Sequence, residues 1–335
     1  MSSFRIAAFK ETLSRKPLII ERNGQTSSEV FGSQVFSQSV MKEFLTDKAY
    51  KGIMLAIEKG EKIQRDTADL IASAMKKLFK VRSKRIRPGL DDKILTAWNG
   101  LMLRSFAESA AALHRADYQE TAIRNAIFLL DTMRSAEGRL LRTYKDGETK
   151  LKAYLEDYAH LADGLLALHE ATLDIRWLQE ATALADTMLE LFWDEGEQGF
   201  YDTGLDHEEL ILRPRDLWDN ATPSGGSVAT DVLLRLSILT GNQEYNRRAA
   251  AALRSMKAVL PRAPAGFGHW LCALDFHLST PKEIAVVGPW SDPATQALLE
   301  TVYSRFLPNK VVAGQDSEGS GDTIPLLEGK GMVDG

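Results

Sequence analysis

The sequence predicts an all-α fold, an incomplete (α/α)6-toroid-like stack of helical hairpins with short β-hairpin loops and a small C-terminal β-α-β piece. Apolar residues recur at helical spacing over most of residues 67–280. An extended loop with acidic residues, an apolar helix, a turn and an amphipathic helix follow one another repeatedly, which is typical of stacked hairpins. Asp92, Asp157 and Asp219 stand at matching points of three repeats and are 65 and 62 residues apart.

Composition limits the classes of protein and partner. With 335 residues, 44% of them hydrophobic and 26% charged, the chain is typical of a globular protein with one large domain or two smaller ones. Its net charge of −5 gives no reason to expect nucleic acid or a membrane as partner. Cys272 is the single cysteine, which favours a reducing compartment. We therefore expect the cytoplasm, and the basic N-terminus leaves a mitochondrial presequence open.

The chain divides into three predicted segments. Residues 1–60 contain short apolar runs without a sustained period, so we expect a poorly defined and poorly packed segment. Residues 61–280 form the predicted helical domain. Residues 281–335 contain a strand in "KEIAVVGP", a helix in "DPATQALLETVYSRF" and a strand in "KVVAG", which we expect to form a parallel β-α-β piece. Both ends of the chain are expected to be truncated.

The first part of the helical domain contains three predicted helices and a hairpin. The helices cover residues 67–81, 91–114 and 118–135. The buried stripe predicted for the second of them comprises Trp98, Leu101, Met102, Phe106, Ala110 and Leu113. After the third, polar and apolar residues alternate around Asp146-Gly147, which predicts a β-hairpin.

The following helices show which positions are inner and which are outer. The helix over 154–172 is apolar nearly all round, whereas its partner over 176–191 is one-sided. The same difference separates "GGSVATDVLLRLSILTG" from "NQEYNRRAAAALRSMKAVL". We expect the inner helices, near 97–113, 154–172 and 226–239, to be parallel, so that their N-terminal ends open on one pocket.

Polar residues at these N-terminal ends supply the predicted chemistry. The predicted catalytic residues are Asp92, Asp157, Asp219 and His160, with at least two of the carboxylates facing one cavity. Paired carboxylates serve glycoside hydrolysis, whereas a histidine such as His160 or His269 can move a proton beside a carbonyl in sugar isomerisation. Asp157 is three residues before His160, so we expect it to raise the pKa of the imidazole.

Aromatic, amide and hydroxyl side chains near the same helix ends form the predicted substrate-binding set. This set comprises Trp98, Asn99, Glu156, Tyr158, Trp218, Asn220, Ser224, His269 and Trp270. Structural roles remain open for polar residues at the same helix ends. Asp91 or Asp92 could be an N-cap, and Thr222-Pro223 suits an N-cap and a first helical position. We expect no metal and no cofactor, because the sequence has no His-x-x-x-His pair and no phosphate loop.

Several long motifs resemble one known family. "RPGLDDKILTAWNGLM", "LEDYAHLADGLLALHEAT", "LFWDEGEQGFYDT" and "HWLCALDFHLSTPKEIAVVG" resemble the helical region of the thioredoxin-domain-containing, spermatogenesis-associated protein 20 family. The resemblance covers about 61–335 and implies an α/α toroid related to six-hairpin glycosidases and N-acylglucosamine 2-epimerases. In that family a thioredoxin-like domain precedes the toroid. This sequence has no Cys-x-x-Cys, so no redox function carries over. It contains about four of the six hairpins of a toroid, so we expect the toroid to be incomplete.

Two functions follow as expectations. The first is a carbohydrate-active enzyme, a glycosidase or a sugar epimerase or isomerase. It would act on or bind a sugar at the inner-helix N-termini with paired carboxylates as general acid and base. The alternative is a non-catalytic scaffold or binding domain of a thioredoxin-domain protein. In both cases the expected ligand is a small molecule.

Overall fold

The computed structural model describes residues 65–209, 211–316 and 324–331. The predictions for residues 1–60 therefore lie outside the described residues. Contacts divide the chain into two compact units, Met1–Leu90 and Asp91–Gly335. In the first unit the structure describes helix α1 (Arg65–Arg82), where the sequence predicts a helix over 67–81. The domain boundary predicted after residue 60 stays a prediction.

The described part of the second unit is built mainly from helices that alternate between inner and outer positions. In chain order they are α2 (Thr96–Leu113), α3 (Ala116–Thr132), α4 (Leu155–Thr172), α5 (Ile175–Phe192), α6 (Gly225–Thr240), α7 (Gln243–Ser255) and α8 (Gly268–Leu278). The even-numbered helices are the inner ones, and each packs against the next inner helix. The predicted all-α stack of hairpins is confirmed.

The inner helices are parallel, as predicted. Asp157 near the start of α4 accepts a hydrogen bond at 2.9 Å from the backbone N–H of Ala97 near the start of α2. One turn on, Gly100 packs directly on the backbone of His160, where an added Cβ would lie 2.6 Å from a carbonyl carbon. Gly225 at the start of α6 makes a similar approach to the backbone of Glu156. Residues at equal depth meet, so the N-terminal ends lie at one end of the stack.

Helix α2 is buried on one side only, and part of its predicted stripe is wrong. Trp98, Met102 and Leu113 are 64%, 43% and 43% exposed. The helix packs on α4 through Gly100, which allows close backbone approach, and through Leu103, whose side chain lies against Gly164. By contrast, α4 and α6 are buried nearly all round, as inner helices with neighbours on both sides must be.

A β-hairpin joins α3 to α4, as predicted. Strands β2 (Leu141–Lys145) and β3 (Glu148–Lys152) are antiparallel, and β1 (Ile94–Leu95) pairs with β2. Asp146 and Gly147 form the turn with φ of 53° and 86°, the left-handed conformation that a two-residue hairpin turn of this type requires. A second, shorter hairpin, β4 (Trp193–Asp194) with β5 (Gly199–Phe200), follows α5.

Two predicted helix caps are wrong. Helix α2 begins at Thr96 without a side-chain cap, because Asp91 and Asp92 lie several residues earlier on the exposed loop. Helix α6 begins at Gly225, and its N-cap is Ser224 rather than Thr222.

The C-terminal residues form the predicted parallel β-α-β piece. Strands β6 (Lys282–Val287) and β7 (Lys310–Gln315) pair in parallel, and helix α9 (Pro293–Tyr303) connects them. Near the C-terminal end of α4, Lys310 forms an ion pair with Glu170 at 2.7 Å, and the Tyr303 hydroxyl donates to the Glu170 carbonyl. The piece therefore lies across the C-terminal ends of the inner helices.

Candidate active site

A cavity of about 760 Å³ runs along the inner helices and is lined by side chains from all four. Near the N-terminal ends its wall contains His160 of α4 and His269 of α8. At the opposite end it is lined by Tyr303 and residues 305–310 of the C-terminal piece. A cavity of this size is typical of a site for a small molecule.

The two histidines of the wall have unused ring nitrogens. His160 is 1% exposed, and neither its Nδ1 nor its Nε2 forms a hydrogen bond with any residue that the structure describes. The buried Nε2 of His269 likewise has no described partner. The Pro223 backbone carbonyl acts on the His160 ring as a hydrogen-bond acceptor that raises the pKa of the imidazole, although its geometry falls outside the strict limits for a hydrogen bond. Because buried polar atoms are nearly always bonded, these nitrogens mark a site for a ligand or water.

The pKa of His160 is lowered, so the prediction that a neighbouring aspartate raises it is wrong. Burial is the main cause, since it disfavours the charged imidazolium. The carboxylates of Asp163 and Glu156 oppose this effect, and the charge of His269 adds to it. Asp157 makes no principal contribution, because its charge is directed at other groups. His160 is therefore a neutral imidazole at pH 7.

Two ion pairs lie deeper in the cavity wall. Arg104 of α2 forms a short ion pair with Asp163 of α4, and its Nε donates to Glu108 at 2.9 Å. Burial alone would raise the pKa of the Asp163 carboxyl, but Arg104 outweighs burial and holds that pKa below its usual value. On α6 the Nε of Arg235 donates to Asp231 at 2.8 Å. Asp163 is thus ionised, and each of the two acids is paired with an arginine.

Asp157 is fully buried, but it is not part of the cavity wall. Its Oδ1 accepts the N–H of Ala97, and its Oδ2 accepts the N–H of Tyr154 and an Arg142 Nη1, each at 2.9 Å. Burial raises the pKa of its carboxyl to about 6, against the charge of Arg142. These bonds hold the N-termini of α2 and α4 together.

Asp219 has the equivalent position between α6 and α8, also outside the cavity wall. Its Oδ1 accepts the N–H of Ser224 at 2.8 Å and the hydroxyl of Ser227 at 2.7 Å. Its Oδ2 accepts the backbone N–H groups of His269 at 2.8 Å and Trp270 at 3.1 Å. Both oxygens are therefore engaged in holding the two helix N-termini.

Three predicted site residues on or before α2 lie away from the cavity. Asp92 is on the exposed loop and forms an ion pair with Lys145 at 2.5 Å. Trp98 is exposed. The amide of Asn99 donates to the carbonyl of Leu95 at 2.9 Å within the first turn of the helix.

Two predicted site residues on α4 are used for packing and for an ion pair. Tyr158 is 1% exposed, and its hydroxyl accepts hydrogen bonds from Arg139 at 2.7 Å and from the Leu140 N–H at 3.0 Å. Glu156 pairs with Arg142 at 2.8 Å beside the β-hairpin.

The predicted aromatic platforms of the last two inner helices also lie outside the wall. Trp218 is half-exposed and stacks on Phe267 with ring centres 4.6 Å apart. Trp270 is buried against Gly226, and its indole N–H donates to the Leu217 carbonyl at 3.0 Å.

The remaining predicted site residues belong to the loop before α6. Asn220 is exposed, and its backbone N–H donates to the Thr222 carbonyl at 3.1 Å. Ser224 caps α6 by accepting the N–H of Ser227 at 3.2 Å. Of the thirteen predicted residues, His160 and His269 line the cavity.

The charged groups of the wall lie outside the predicted site. They include the ion-paired residues Arg104, Asp163, Asp231 and Arg235 of the inner helices. The sequence does contain a signal for them. In "VATDVLLRLSILT" an acid and a base stand four residues apart in an otherwise apolar helix, a position where a charge is costly unless it is paired or functional.

Two classes of feature are absent from the described ranges. No helix within them is long and apolar enough to cross a membrane. Nor do they group three or more histidine, cysteine or acidic side chains so as to hold a metal ion.

Comparisons with known proteins give different results for the two parts of the chain. Residues 27–83 match the family "Glutamine synthetase type III N terminal". A glutamine synthetase of Bacteroides fragilis is 43% identical over 76 residues, which are 23% of this chain and 10% of that protein. These residues correspond to most of the first compact unit.

The larger match is to spermatogenesis-associated protein 20 of Homo sapiens, which is 35% identical over 261 residues. The match covers 75% of this chain and 33% of that protein, so the chain spans about a third of the length of this relative. Among solved structures, a glycoside hydrolase family 76 mannosidase of Bacteroides thetaiotaomicron is 17% identical with a TM-score of 0.43. That match covers 52% of this chain and 46% of the mannosidase.

Proposed function

We propose that this chain, whose helical region belongs to the spermatogenesis-associated protein 20 family, binds a small sugar in the inner-helix cavity and transfers a proton on it. The reaction class is epimerisation or isomerisation at the carbon beside a carbonyl group. The proposal concerns the helical region and assigns no activity to the rest of the protein.

The observation that carries the proposal is the pair of histidines. His160 and His269 line the same cavity, and both have buried ring nitrogens outside hydrogen-bonding geometry with any described residue. The charge of His269 lowers the pKa of His160, so the two rings are close enough to interact. A neutral imidazole can accept a proton and can later return it, which general acid–base catalysis requires.

The chemistry can be written with all atoms accounted for. One imidazole removes the proton from the carbon next to the carbonyl group, and the electron pair moves to the carbonyl oxygen to give an enediolate. In epimerisation, the other ring, present as imidazolium, delivers its proton to the opposite face of the same carbon while the electron pair returns and restores the carbonyl group. In isomerisation, the first ring returns its proton to the former carbonyl carbon, and the hydroxyl proton of the neighbouring carbon moves to the former carbonyl oxygen.

Hydrolysis by paired carboxylates is the second candidate, favoured by the presence of Asp163 and Asp231 in the wall. Each is already bound to an arginine, and the low pKa of Asp163 makes it a poor proton donor at neutral pH. Asp92, Asp157 and Asp219 remain a predicted acid–base set, but their bonds to a lysine and to backbone groups argue for structural roles.

Solvent exchange distinguishes these candidates. The full chain is incubated in D₂O with a panel of aldoses and ketoses, and the C2 proton signal is followed by NMR. We expect this signal to be lost as the epimer or isomer forms. His160→Gln and His269→Gln should each abolish the exchange.

His277→Gln is the matched control, because His277 is on the same helix as His269 but outside the cavity wall. Release of reducing ends from an oligosaccharide without exchange would favour hydrolysis. Binding without either reaction would favour the non-catalytic alternative, and no binding to any member of the panel would overturn the proposal.

A further inference from the structure

We infer that the ligand of this cavity is an uncharged sugar and that the wall excludes phosphorylated and uronic acid forms. This inference rests on the proposed function and names the substrate class of the same site. Its basis is the distribution of charges and of free N–H groups around the cavity.

The part of the wall around Arg104 has no unpaired positive charge that could bind an anion. Arg104 already contacts two carboxylates, those of Asp163 and Glu108. The attraction of Asp163 holds the pKa of this guanidinium above its usual value. A ligand phosphate here would approach at least one carboxylate for each arginine contact, in a region where charges are poorly screened.

Elsewhere in the wall, Arg235 and Lys310 are compensated in the same way, whereas Arg305 is an exposed lining residue without an ion pair to any residue that the structure describes. Arg235 is bound to Asp231, and its Nη1 donates to the Lys310 carbonyl at 3.3 Å. Lys310 itself is paired with Glu170. Among the cavity-lining residues that the structure describes, five acids face four bases, so the wall has a small negative excess. The acids are Glu108, Asp163, Glu170, Asp231 and Asp275, and the bases are Arg104, Arg235, Arg305 and Lys310.

Helix N-termini are the usual alternative site for phosphate, and here the chain itself occupies them. Asp157 takes the N–H of Ala97 in α2, and Asp219 takes those of His269 and Trp270 in α8. Ser224 takes the N–H of Ser227 in α6. Two of these acceptors are carboxylates, so backbone N–H groups that a phosphate would need at these helix starts are already bonded within the chain.

The free polar atoms that remain are neutral. The imidazole nitrogens of His160 and the Nε2 of His269 can each donate or accept one hydrogen bond. Hydroxyl groups match this need, because they also donate and accept. The wall therefore fits a polyhydroxylated compound without a net charge.

Matched ligand pairs test the inference on the full chain by isothermal titration calorimetry. The pairs are mannose with mannose 6-phosphate and glucose with glucuronate. We expect the neutral member of each pair to bind at least about tenfold more tightly than the anionic one. Equal or tighter binding of the anionic members would overturn the inference and leave the proposed sugar site standing. No binding by any of the four would overturn the proposed function and the inference with it.

A charge variant sharpens the test. Glu108→Gln removes one partner of Arg104, and Glu108 is 57% exposed, so the fold should tolerate the change. We expect the ratio of neutral to anionic affinity to fall by several-fold. Glu120→Gln, at an exposed position of the outer helix α3, is the control and should leave the ratio unchanged. An unchanged ratio in Glu108→Gln would contradict the role given to the wall charges.

Discussion

Two sets of polar residues lie near the N-terminal ends of the inner helices, and they differ in whether their polar atoms are hydrogen-bonded. Asp157 and Asp219 lie at the helix N-termini, where backbone and side-chain donors engage both oxygens of each carboxylate. His160 is one turn further along α4, and neither of its ring nitrogens has a described partner. A polar group that the fold fully satisfies is stabilising, whereas a buried one left unsatisfied costs stability and is free to act on a ligand. The comparison separates structural from functional positions, and each prediction below tests it.

The largest effect is expected for Asp219→Ala. The change leaves three backbone N–H groups without their acceptor and removes one of the two acceptors of the Ser227 hydroxyl, so it should lower the free energy of unfolding by about 3–5 kcal/mol. Urea unfolding of the full chain followed by circular dichroism measures it. Asp131→Ala, at an exposed position of α3, is the control and should have no measurable effect. A loss below about 1 kcal/mol would show that Asp219 is not a structural clamp.

A smaller decrease in the free energy of unfolding, about 2–4 kcal/mol, is expected for Asp157→Asn. The amide NH₂ would face either the Ala97 N–H or the Tyr154 N–H and Arg142, so at least one bond is replaced by donor–donor repulsion. Removal of a buried charge whose pKa is raised to about 6 offsets part of the loss. Urea unfolding at pH 7 gives the stability, and C2 exchange measured on the folded fraction gives the activity. Lost exchange in a variant as stable as the parent would instead make Asp157 catalytic.

The opposite sign is expected for His160→Leu. Leucine fills a similar volume and removes two buried nitrogens that lack partners, so the free energy of unfolding should stay level or rise by up to about 1 kcal/mol. Sugar binding measured by calorimetry should be lost in the same variant. A destabilisation above about 2 kcal/mol would mean that His160 makes structural interactions which its contacts do not reveal.

The smallest effect concerns pH. The pKa of His160 lies below its unfolded value of about 6.5, so the unfolded chain takes up this proton first as the pH falls. Above about pH 6.5 the imidazole is neutral in both states, and its titration does not affect the free energy of unfolding. Below this pH the unfolded chain binds the proton more readily than the folded protein, so the free energy of unfolding falls. Unfolding free energies measured from pH 7 to pH 5 should therefore fall more in the parent than in His160→Leu. His169 and Asp157 are present in both proteins, so their titrations cancel, and parallel curves would contradict the lowered pKa of His160.

The architecture could be predicted from the sequence because its signals are local. The inner helices near 154–172 and 226–239 are apolar nearly all round, and only a helix with neighbours on both sides can bury such a surface. The hairpin at Asp146-Gly147 follows from the turn residues alone. In helix α2 the buried side could not be predicted in full. Whether Trp98 is buried depends on which other helices pack against α2, and the sequence of α2 does not contain that information.

The site was less predictable because its contacts are between distant residues. The sequence alone does not distinguish the roles of Asp157 and His160. The structural role of Asp157 depends on its bond to the backbone of Ala97, which is sixty residues away in the chain. Asp163 depends in the same way on Arg104 of another helix. Acidic residues near a helix start are ambiguous between capping and chemistry, whereas a histidine in an apolar helix has fewer structural uses.

The shared carboxylates have a further consequence for the parallel arrangement of the inner helices. Each helix carries a macrodipole equivalent to about half a positive charge at its N-terminus, so two adjacent parallel helices present about one full positive charge side by side. Asp157 lies between the starts of α2 and α4, and Asp219 between those of α6 and α8. One carboxylate therefore neutralises each pair of helix ends. The four inner helices thus form two pairs, and in each pair the charge of the N-terminal ends is balanced within the pair. The two pairs meet where Gly225 packs on the backbone of α4.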